Sequence, residues 1–377
     1  MKVDRINIQW KNYQDIRNIN IIPDLLLVFG DRSLLSEPNL LEEIRSSFPE
    51  TIIFGCSSAG EISGIEVTDS SVAITAVKFE NSHVELESVS LSDYEDSVTS
   101  CETLIKNLSP HNLKHVMLLS DGININGAKL IEGIEEHLPS DVRVTGGLAA
   151  DGTDFKETVV FDKYGNLSQN CIAALGFYGD QLTVGYGSNG GWDSFGLERL
   201  VTKSNDNILF ELDGKPALEL YKSFLGERAS ELPASGLLFP LSLRENGVSE
   251  PVVRTILGIN EEDQSLIFAG DIPEGSYVKL MKANIDRLIS GAESSAITTT
   301  DMLPKGDAEL AILISCVGRK LVLKQLIEEE VEAVADVVGK QASITGFYSY
   351  GEISPFRCNT PCLLHNQTMT ITTISEK

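Results

Sequence analysis

The sequence has few of the residues that build common catalytic and metal sites. Its 377 residues include only five histidines and six cysteines, and the cysteines are scattered along the chain. Scattered thiols do not form a disulfide framework, so we expect a reducing compartment, the cytoplasm. No G-x-x-x-x-G-K-[ST] or G-x-S-x-G motif occurs. These absences exclude a P-loop nucleotidase and argue against a serine hydrolase.

Long apolar runs and basic residues are also scarce. The longest apolar runs, such as residues 25–29, are too short to cross a bilayer, and the N-terminus carries no apolar signal segment. Lys and Arg total 30 against 55 Asp and Glu, which gives a net charge of −25. Such a surface repels phosphate backbones and anionic lipids, so we expect neither nucleic acid as a partner nor membrane insertion.

Short apolar runs alternate with amphipathic segments, which predicts an α/β fold built from mixed sheets. The pattern predicts strands at 24–31 and 51–55, a helix at 37–48 between them, and one long helix from about Arg319 to Val338. The Gly-rich stretch 187–196 predicts a boundary between two domains, residues 1–190 and 191–377. Strict alternation of residue types predicts further strands at 71–79, 83–91, 156–161, 170–179, 181–187 and 365–375.

One short motif occurs twice. GCSSAGEIS at residues 55–63 recurs as GFYSYGEIS at 346–354, with six of nine residues identical, and TGGLAADG at 145–152 is a weaker third copy. Each copy ends a strand–helix–strand unit. Ligands of α/β sheets bind at the carboxyl ends of parallel strands, so the repeated Ser and Glu predict a site where the three loops meet. The alternative is a repeated fold element whose glycines only make tight turns.

Three other features each have a functional and a structural interpretation. The glycines of G-x-G-x-x-G at 185–190 are interpreted as a turn, because no helix follows to hold a dinucleotide. Arg319 can pair with Glu352 or with the carboxylate of a ligand, or can simply cap a helix. His365 can ligate haem, or can bond a backbone carbonyl as an edge residue. Cys358, Cys362 and His365 lack the second ligand pair of a structural zinc site.

Taken together, these motifs resemble those of the FIST family, named for F-box and intracellular signal transduction proteins. The matching residues are the three loop motifs, Phe155 and Thr158 after the second, Ser-Cys-x-Gly-Arg at 315–319, and LHNQT at 364–368. The resemblance covers nearly the whole chain and implies a FIST N domain at 1–190 and a FIST C domain at 191–377. It implies a sensory protein rather than an enzyme, one that binds a small ligand and regulates a histidine kinase or a cyclic-di-GMP enzyme by a ligand-dependent population shift.

We therefore expect a ligand pocket built from the loops, with Arg319 and Glu352 holding the charged ends of an amino acid. On this hypothesis Arg319→Ala abolishes binding without unfolding the protein. The alternative function is a nitric-oxide sensor carrying non-covalent haem b on His365. The residues predicted to contact the ligand are Ser57, Ser58, Glu61, Gly146, Gly147, Asp151, Arg319, Tyr348, Ser349 and Glu352.

Overall fold

The computed structural model describes residues 1–9, 12–94, 97–245, 251–303, 308–358 and 360–376. These residues form 26 strands: β1 (Lys2–Ile8), β2 (Leu25–Gly30), β3 (Ile52–Ser57), β4 (Glu61–Ser63), β5 (Glu66–Thr68), β6 (Val72–Lys78), β7 (His83–Ser90), β8 (Leu113–Ser120), β9 (Arg143–Leu148), β10 (Val160–Phe161), β11 (Leu167–Ser168), β12 (Cys171–Tyr178), β13 (Leu182–Asn189), β14 (Asp193–Asn205), β15 (Ile208–Leu212), β16 (Lys215–Pro216), β17 (Leu241–Arg244), β18 (Val252–Arg254), β19 (Ile256–Asn260), β20 (Ser265–Phe268), β21 (Tyr277–Lys282), β22 (Leu310–Cys316), β23 (Ser343–Ser349), β24 (Gly351–Pro355), β25 (Cys362–His365) and β26 (Met369–Glu376).

The same described residues form eight α-helices: α1 (Arg32–Leu35), α2 (Pro38–Ser47), α3 (Ser97–Asn107), α4 (Gly127–His137), α5 (Ala217–Leu225), α6 (Ile285–Thr300), α7 (Val317–Leu323) and α8 (Ile327–Val338). They also form short 3₁₀ helices at Tyr13–Asn18, Leu91–Asp93, Gly226–Glu231, Ala234–Leu238 and Lys324–Leu326. The α/β class is therefore confirmed. No helix among the described residues is long and apolar enough to span a membrane.

Three six-stranded sheets share one plan. Each is built on a central parallel pair: β2 with β3 in the first sheet, β8 with β9 in the second, and β22 with β23 in the third. In each sheet an antiparallel strand lies on either side of this pair. The strand orders are β1-β6-β2-β3-β10-β11, β25-β24-β9-β8-β12-β7 and β13-β26-β22-β23-β4-β5. The three copies of the strand–helix–strand unit are therefore confirmed.

The three sheets exchange strands in a cycle. After β3 of the first sheet the chain crosses into the third sheet, where β4 pairs with β23. After β23 it crosses into the second sheet, where β24 pairs with β9. After β9 it returns to the first sheet, where β10 pairs with β3. Each sheet is therefore completed by a strand from the next one, and the crossings are the three motif loops.

The sheets enclose a common apolar core, and helices cover their other faces. Along β2, Leu25, Leu27 and Phe29 point into this core, where the rings of Phe29 and Phe347 stack with centroids 4.7 Å apart. Leu26 alternates with them and packs on the opposite face, with buried residues of α2. The same period-two alternation recurs in β8 and β22, as expected for a strand buried on both faces. We call the three sheets with their helices the three-sheet core.

An eight-stranded antiparallel sheet with α5 packs against the three-sheet core. This fourth sheet begins at β14, just after the predicted boundary at residue 190, and ends at β21. It has its own apolar cluster, in which Phe268 is buried. Arg254 of β18 donates to the carbonyl of Leu364 in β25 at 3.0 Å, which ties the fourth sheet to the core.

Three sequence-based expectations need correction. The segment at 156–161 is a strand only at Val160–Phe161. The predicted long helix is broken between α7 and α8, because Lys324 has a φ of 52°, which a right-handed helix cannot accommodate. The G-x-G-x-x-G segment is not a turn: Gly185 and Gly187 lie in β13, where a Cβ would overlap carbonyl oxygens of α6. These glycines allow close packing of helix on strand.

Glycine is required where each motif begins. A Cβ on Gly55, Gly146 or Gly346 would overlap the carbonyl oxygen of the facing residue in the parallel strand. We expect Gly55→Ala to destabilise the fold by about 3 kcal/mol or more, because the strands would have to separate. Chemical denaturation would measure this change. Gly258→Ala in β19 is the control, since its Cβ would meet Ile267 at an ordinary 3.4 Å. Equal stability of the two variants would contradict the argument.

Candidate functional site

The three motif loops meet in a ring of backbone hydrogen bonds. Ala59 donates its N–H to the carbonyl of Tyr348 at 2.8 Å, and Tyr350 donates to that of Leu148 at 3.3 Å. Ala150 donates to the carbonyl of Ser57 at 2.9 Å and closes the ring. Donors and acceptors occupy equivalent positions of the three motifs. The expectation that the loops converge is therefore confirmed, and we call this place the loop junction.

The repeated Ser and Glu make the same buried contacts in two of the loops. Ser58 donates its hydroxyl to Glu61 at 2.6 Å, and Ser349 donates to Glu352 at 2.7 Å. The second oxygen of Glu352 accepts the N–H and the hydroxyl of Thr368 at 3.1 and 3.0 Å. Glu61 accepts the N–H and the hydroxyl of Ser71, the residue just before β6, at 3.2 and 2.7 Å. Both carboxyls thus tie a loop to a neighbouring strand.

Burial raises the pKa of Glu61 and of Glu352 to about 7, although hydroxyl donors favour their ionised forms. In the unfolded chain each group titrates near 4.5. A raised pKa in the folded state stabilises the protein below pH 4.5, and this stabilisation is lost as the pH rises through 7. Burial lowers the pKa of His115 from 6.5 to about 3. Its contribution to the free energy of unfolding therefore rises with pH over this range, opposite to that of the two carboxyls.

Asp151 holds the loop of the TGGLAADG motif, residues 145–152. Its carboxylate accepts backbone N–H groups from Phe155 at 3.0 Å and from Lys156 and Glu157 at 2.9 Å, and it also accepts the hydroxyl of Tyr350. Burial opposes ionisation, but these donors outweigh it and lower the pKa of Asp151. The ring of Phe155 stacks on that of Tyr350, with centroids 4.3 Å apart and planes 10° apart. Asp151 therefore positions an aromatic pair.

Arg319 has protein partners at each of its nitrogens. Its guanidinium donates to Glu330 at 3.0 and 2.6 Å, to the carbonyl of Leu288 at 2.8 Å and to the carbonyl of Gly190. Glu330 also accepts the hydroxyl of Tyr348 at 2.8 Å. The break between α7 and α8 makes this pairing possible, since residues 11 apart in one helix would be ~16 Å apart. Both side chains of the pair have 0% exposure.

His365 does not have the surroundings of an axial haem ligand. Its Nε2 lies 2.8 Å from the carbonyl of Ser354, and its ring packs edge-on against Phe356 with centroids 4.4 Å apart. Burial lowers its pKa to about 4, so the ring is neutral at pH 7. Coordination of iron by Nε2 would require loss of the carbonyl contact and displacement of the packed ring. We therefore assign no haem to His365.

A cavity of about 320 Å³ lies beside the loop junction, between the three-sheet core and the fourth sheet. The core contributes residues 122–126, Leu148, Phe155 and Tyr350 to its wall, and the fourth sheet contributes Asn207, Leu257 and residues 268–270. No Asp, Glu, His, Cys, Lys or Arg is among these lining residues. We call this space the interface cavity.

The ten residues predicted to contact a ligand lie mostly at the loop junction or next to it. Ser57 and Gly147 are buried there, Ser57 accepting the N–H of Val159 and Gly147 packing against Ile314. None of the ten lines the interface cavity, and Asp151 reaches it only by holding Phe155 and Tyr350. Their role in ligand binding stays a prediction.

Sequence reasoning did not predict that residues 122–126 and the fourth sheet form part of the wall of the interface cavity. Three lining residues belong to the repeated motifs or follow one of them: Leu148, Phe155 and Tyr350. No group of three or more His, Cys, Asp or Glu side chains among the described residues could hold a metal ion.

Comparison with known proteins identifies the chain. A model of the FIST N domain matches residues 24–215, and a model of the FIST C domain matches residues 217–355. This chain belongs to the FIST family. FIST domains are sensory domains of signal transduction. The junction of this FIST protein is shared by both regions, because β4 of the first pairs with β23 of the second.

Two individual proteins are similar to this chain, and neither adds information about its function. An uncharacterised protein of Methanocaldococcus jannaschii is 25% identical over 239 residues, which cover 56% of this chain and 45% of that protein. The FIST protein thus spans less than half of that relative's length. A solved cyanuric acid hydrolase from A. caulinodans aligns over 100% of this chain and 99% of its own, with a TM-score of 0.37 and 7% identity. That likeness is too weak to support an argument.

The raised pKa of Glu352 predicts a pH-dependent stability difference. Glu352→Gln mimics the protonated carboxyl, so we expect the free energy of unfolding of wild type relative to this variant to fall by about 3 kcal/mol from pH 4.5 to 8. Urea denaturation across this range would measure it. The exposed Glu80→Gln is the control. A constant difference between wild type and Glu352→Gln would show that Glu352 titrates normally.

Because Arg319 pairs with Glu330 in the interior, we predict that replacing Arg319 lowers the stability of the fold and not only ligand binding. We expect Arg319→Met to destabilise the fold by about 3–5 kcal/mol, because Glu330 would remain buried without its cation. Thermal and urea denaturation would measure this. The double variant Arg319→Met/Glu330→Leu removes both charges and should regain most of the loss. A single variant as stable as wild type would leave Arg319 free for a binding role.

Proposed function

We propose that this FIST protein senses a small molecule in the interface cavity. The observation that carries the proposal is that the three-sheet core and the fourth sheet build the cavity jointly. Ligand sites commonly lie at such interfaces and enclose roughly 300–1,000 Å³. The rigid loop junction supports one wall, because Tyr350 and Leu148 belong both to the ring of hydrogen bonds and to the lining.

The chemistry of the lining supports binding without turnover. General acid–base and nucleophilic catalysis use His, Cys, Lys, carboxylate, Ser, Thr or Tyr side chains, and of these the lining contains only Tyr350. The ionisable group present is the hydroxyl of Tyr350, whose pKa is raised by burial and by its bond to Asp151. A receptor is therefore a better description of this cavity than an enzyme.

A ligand that contacts both parts favours the arrangement in which both walls reach it. The position of the fourth sheet relative to the core is then the signal that a partner reads. We propose a separate cytoplasmic partner, a histidine kinase or a cyclic-di-GMP enzyme, as the family resemblance implies. The acidic chain, with a net charge of −25, favours a partner with a basic surface.

The test is a thermal-shift screen of amino acids, sugars, nucleobases and organic acids with wild type and with Ala269→Leu, which fills the interface cavity from the fourth sheet. A ligand at a hundredfold excess over its Kd stabilises the fold by about 2.7 kcal/mol, which raises the melting temperature by several degrees. We expect such a compound for wild type and no shift in Ala269→Leu, which should itself melt normally. Equal shifts in both proteins, or no shift with wild type, would contradict the proposal.

A further inference from the structure

We infer that the ligand of the interface cavity is a flat, uncharged heterocycle that stacks on Phe155 and presents N–H and C=O groups to side-chain amides. The inference rests on the proposed function, because it names the class of molecule that the cavity takes.

The first argument is the aromatic wall. Phe155 and Tyr350 both line the cavity and stack on each other, and Phe155 keeps 38% of its surface exposed. A ring that is covered on one face and open to water elsewhere is a stacking platform. Flat ring systems stack on such a platform with little loss of conformational entropy, whereas aliphatic ligands gain less from it.

The second argument is the way Phe155 is held. Its φ of 52° is a left-handed conformation that costs a non-glycine residue stability. Asp151 stabilises this conformation by accepting the N–H of Phe155, and the same carboxylate accepts the hydroxyl of Tyr350. One half-buried carboxylate therefore sets the position of both rings. A side chain that served only to fill space would not need this support.

The third argument is the set of hydrogen-bonding groups in the lining. Asn207 donates its amide N–H to the carbonyl of Phe268 at 2.8 Å, which leaves its amide oxygen to accept a bond from a ligand. The side-chain amide of Asn124 bonds no residue in the described part of the chain, so it can both donate and accept. A heterocycle with adjacent N–H and C=O groups complements these amides.

The fourth argument is charge. The lining contains no charged side chain, so a charged ligand group would lose part of its hydration there without gaining an ion-pair partner among the lining residues, at a cost in free energy. The ammonium and carboxylate of an amino acid would face the same cost. Arg319 and Glu352, which were expected to hold those groups, are buried outside this cavity. The volume of about 320 Å³ has room for one or two fused rings.

The experiment is calorimetric titration with four probes: hypoxanthine, uracil, 5,6-dihydrouracil and orotate. Dihydrouracil keeps the polar edge of uracil but is not aromatic, and orotate adds a carboxylate to it. We expect hypoxanthine or uracil to bind wild type, dihydrouracil to bind more weakly, and orotate not to bind. Phe155→Leu, which keeps apolar bulk but removes the ring, should weaken binding roughly 5- to 150-fold. Tyr164→Leu, at an aromatic residue that is 74% exposed outside the interface cavity, should not.

The failures of the two proposals are distinguishable. If neither hypoxanthine nor uracil binds, while another compound shifts the melting temperature of wild type and not of Ala269→Leu, the ligand class is wrong and the proposed function stands. The class is equally wrong if dihydrouracil or orotate binds as tightly as uracil, or if Phe155→Leu binds as wild type does. If no compound distinguishes wild type from Ala269→Leu, the proposed function itself fails.

Discussion

The ring of three backbone hydrogen bonds at the loop junction is the constraint on which the rest of the structure depends. It forms where β3, β9 and β23 leave their own sheets and continue into the neighbouring ones. Each sheet includes a strand that the chain forms after leaving another sheet, so none of the three sheets can form with all its strands alone. The FIST N and FIST C regions, 24–215 and 217–355, consequently share one core rather than forming two separate ones.

This constraint explains why polar residues at the junction serve the fold first. Glu61 and Glu352 are buried, and each accepts a hydroxyl within its own motif and a second one from a residue just before another strand. Arg319 and Glu330 likewise neutralise each other between two helices. Buried charges that are fully paired have little capacity left for a ligand. The cavity with open hydrogen-bonding groups lies instead at the edge of the junction, where the fourth sheet meets the core. A site so placed has one wall on the loop junction and the other on the fourth sheet.

Much of the local structure was predictable because it follows from short-range patterns. The strands β2 and β3 and the helix α2 lie close to their predicted bounds, since apolar periodicity and turn residues act over a few positions. The errors have long-range causes. The segment at 185–189 is a strand because α6, about 100 residues later, packs on its glycines. The helix predicted at 319–338 breaks at Lys324, and the break brings Arg319 to Glu330, a pairing that no periodicity reports.

The sequence by itself determined the family, the α/β class and the three repeated units, because a repeated motif after a repeated unit implies equivalent positions in the fold. It offered the convergence of the three loops only as a hypothesis, which the ring of hydrogen bonds in the structure then confirmed. Only the tertiary structure decided which side chains pair and where a cavity remains. Phe155 and Tyr350 are 195 residues apart in the chain, and Asn207 lies in the turn between β14 and β15 of the fourth sheet, which has no repeat elsewhere. The partners of a side chain are set by packing between distant segments, and local sequence carries no record of that packing.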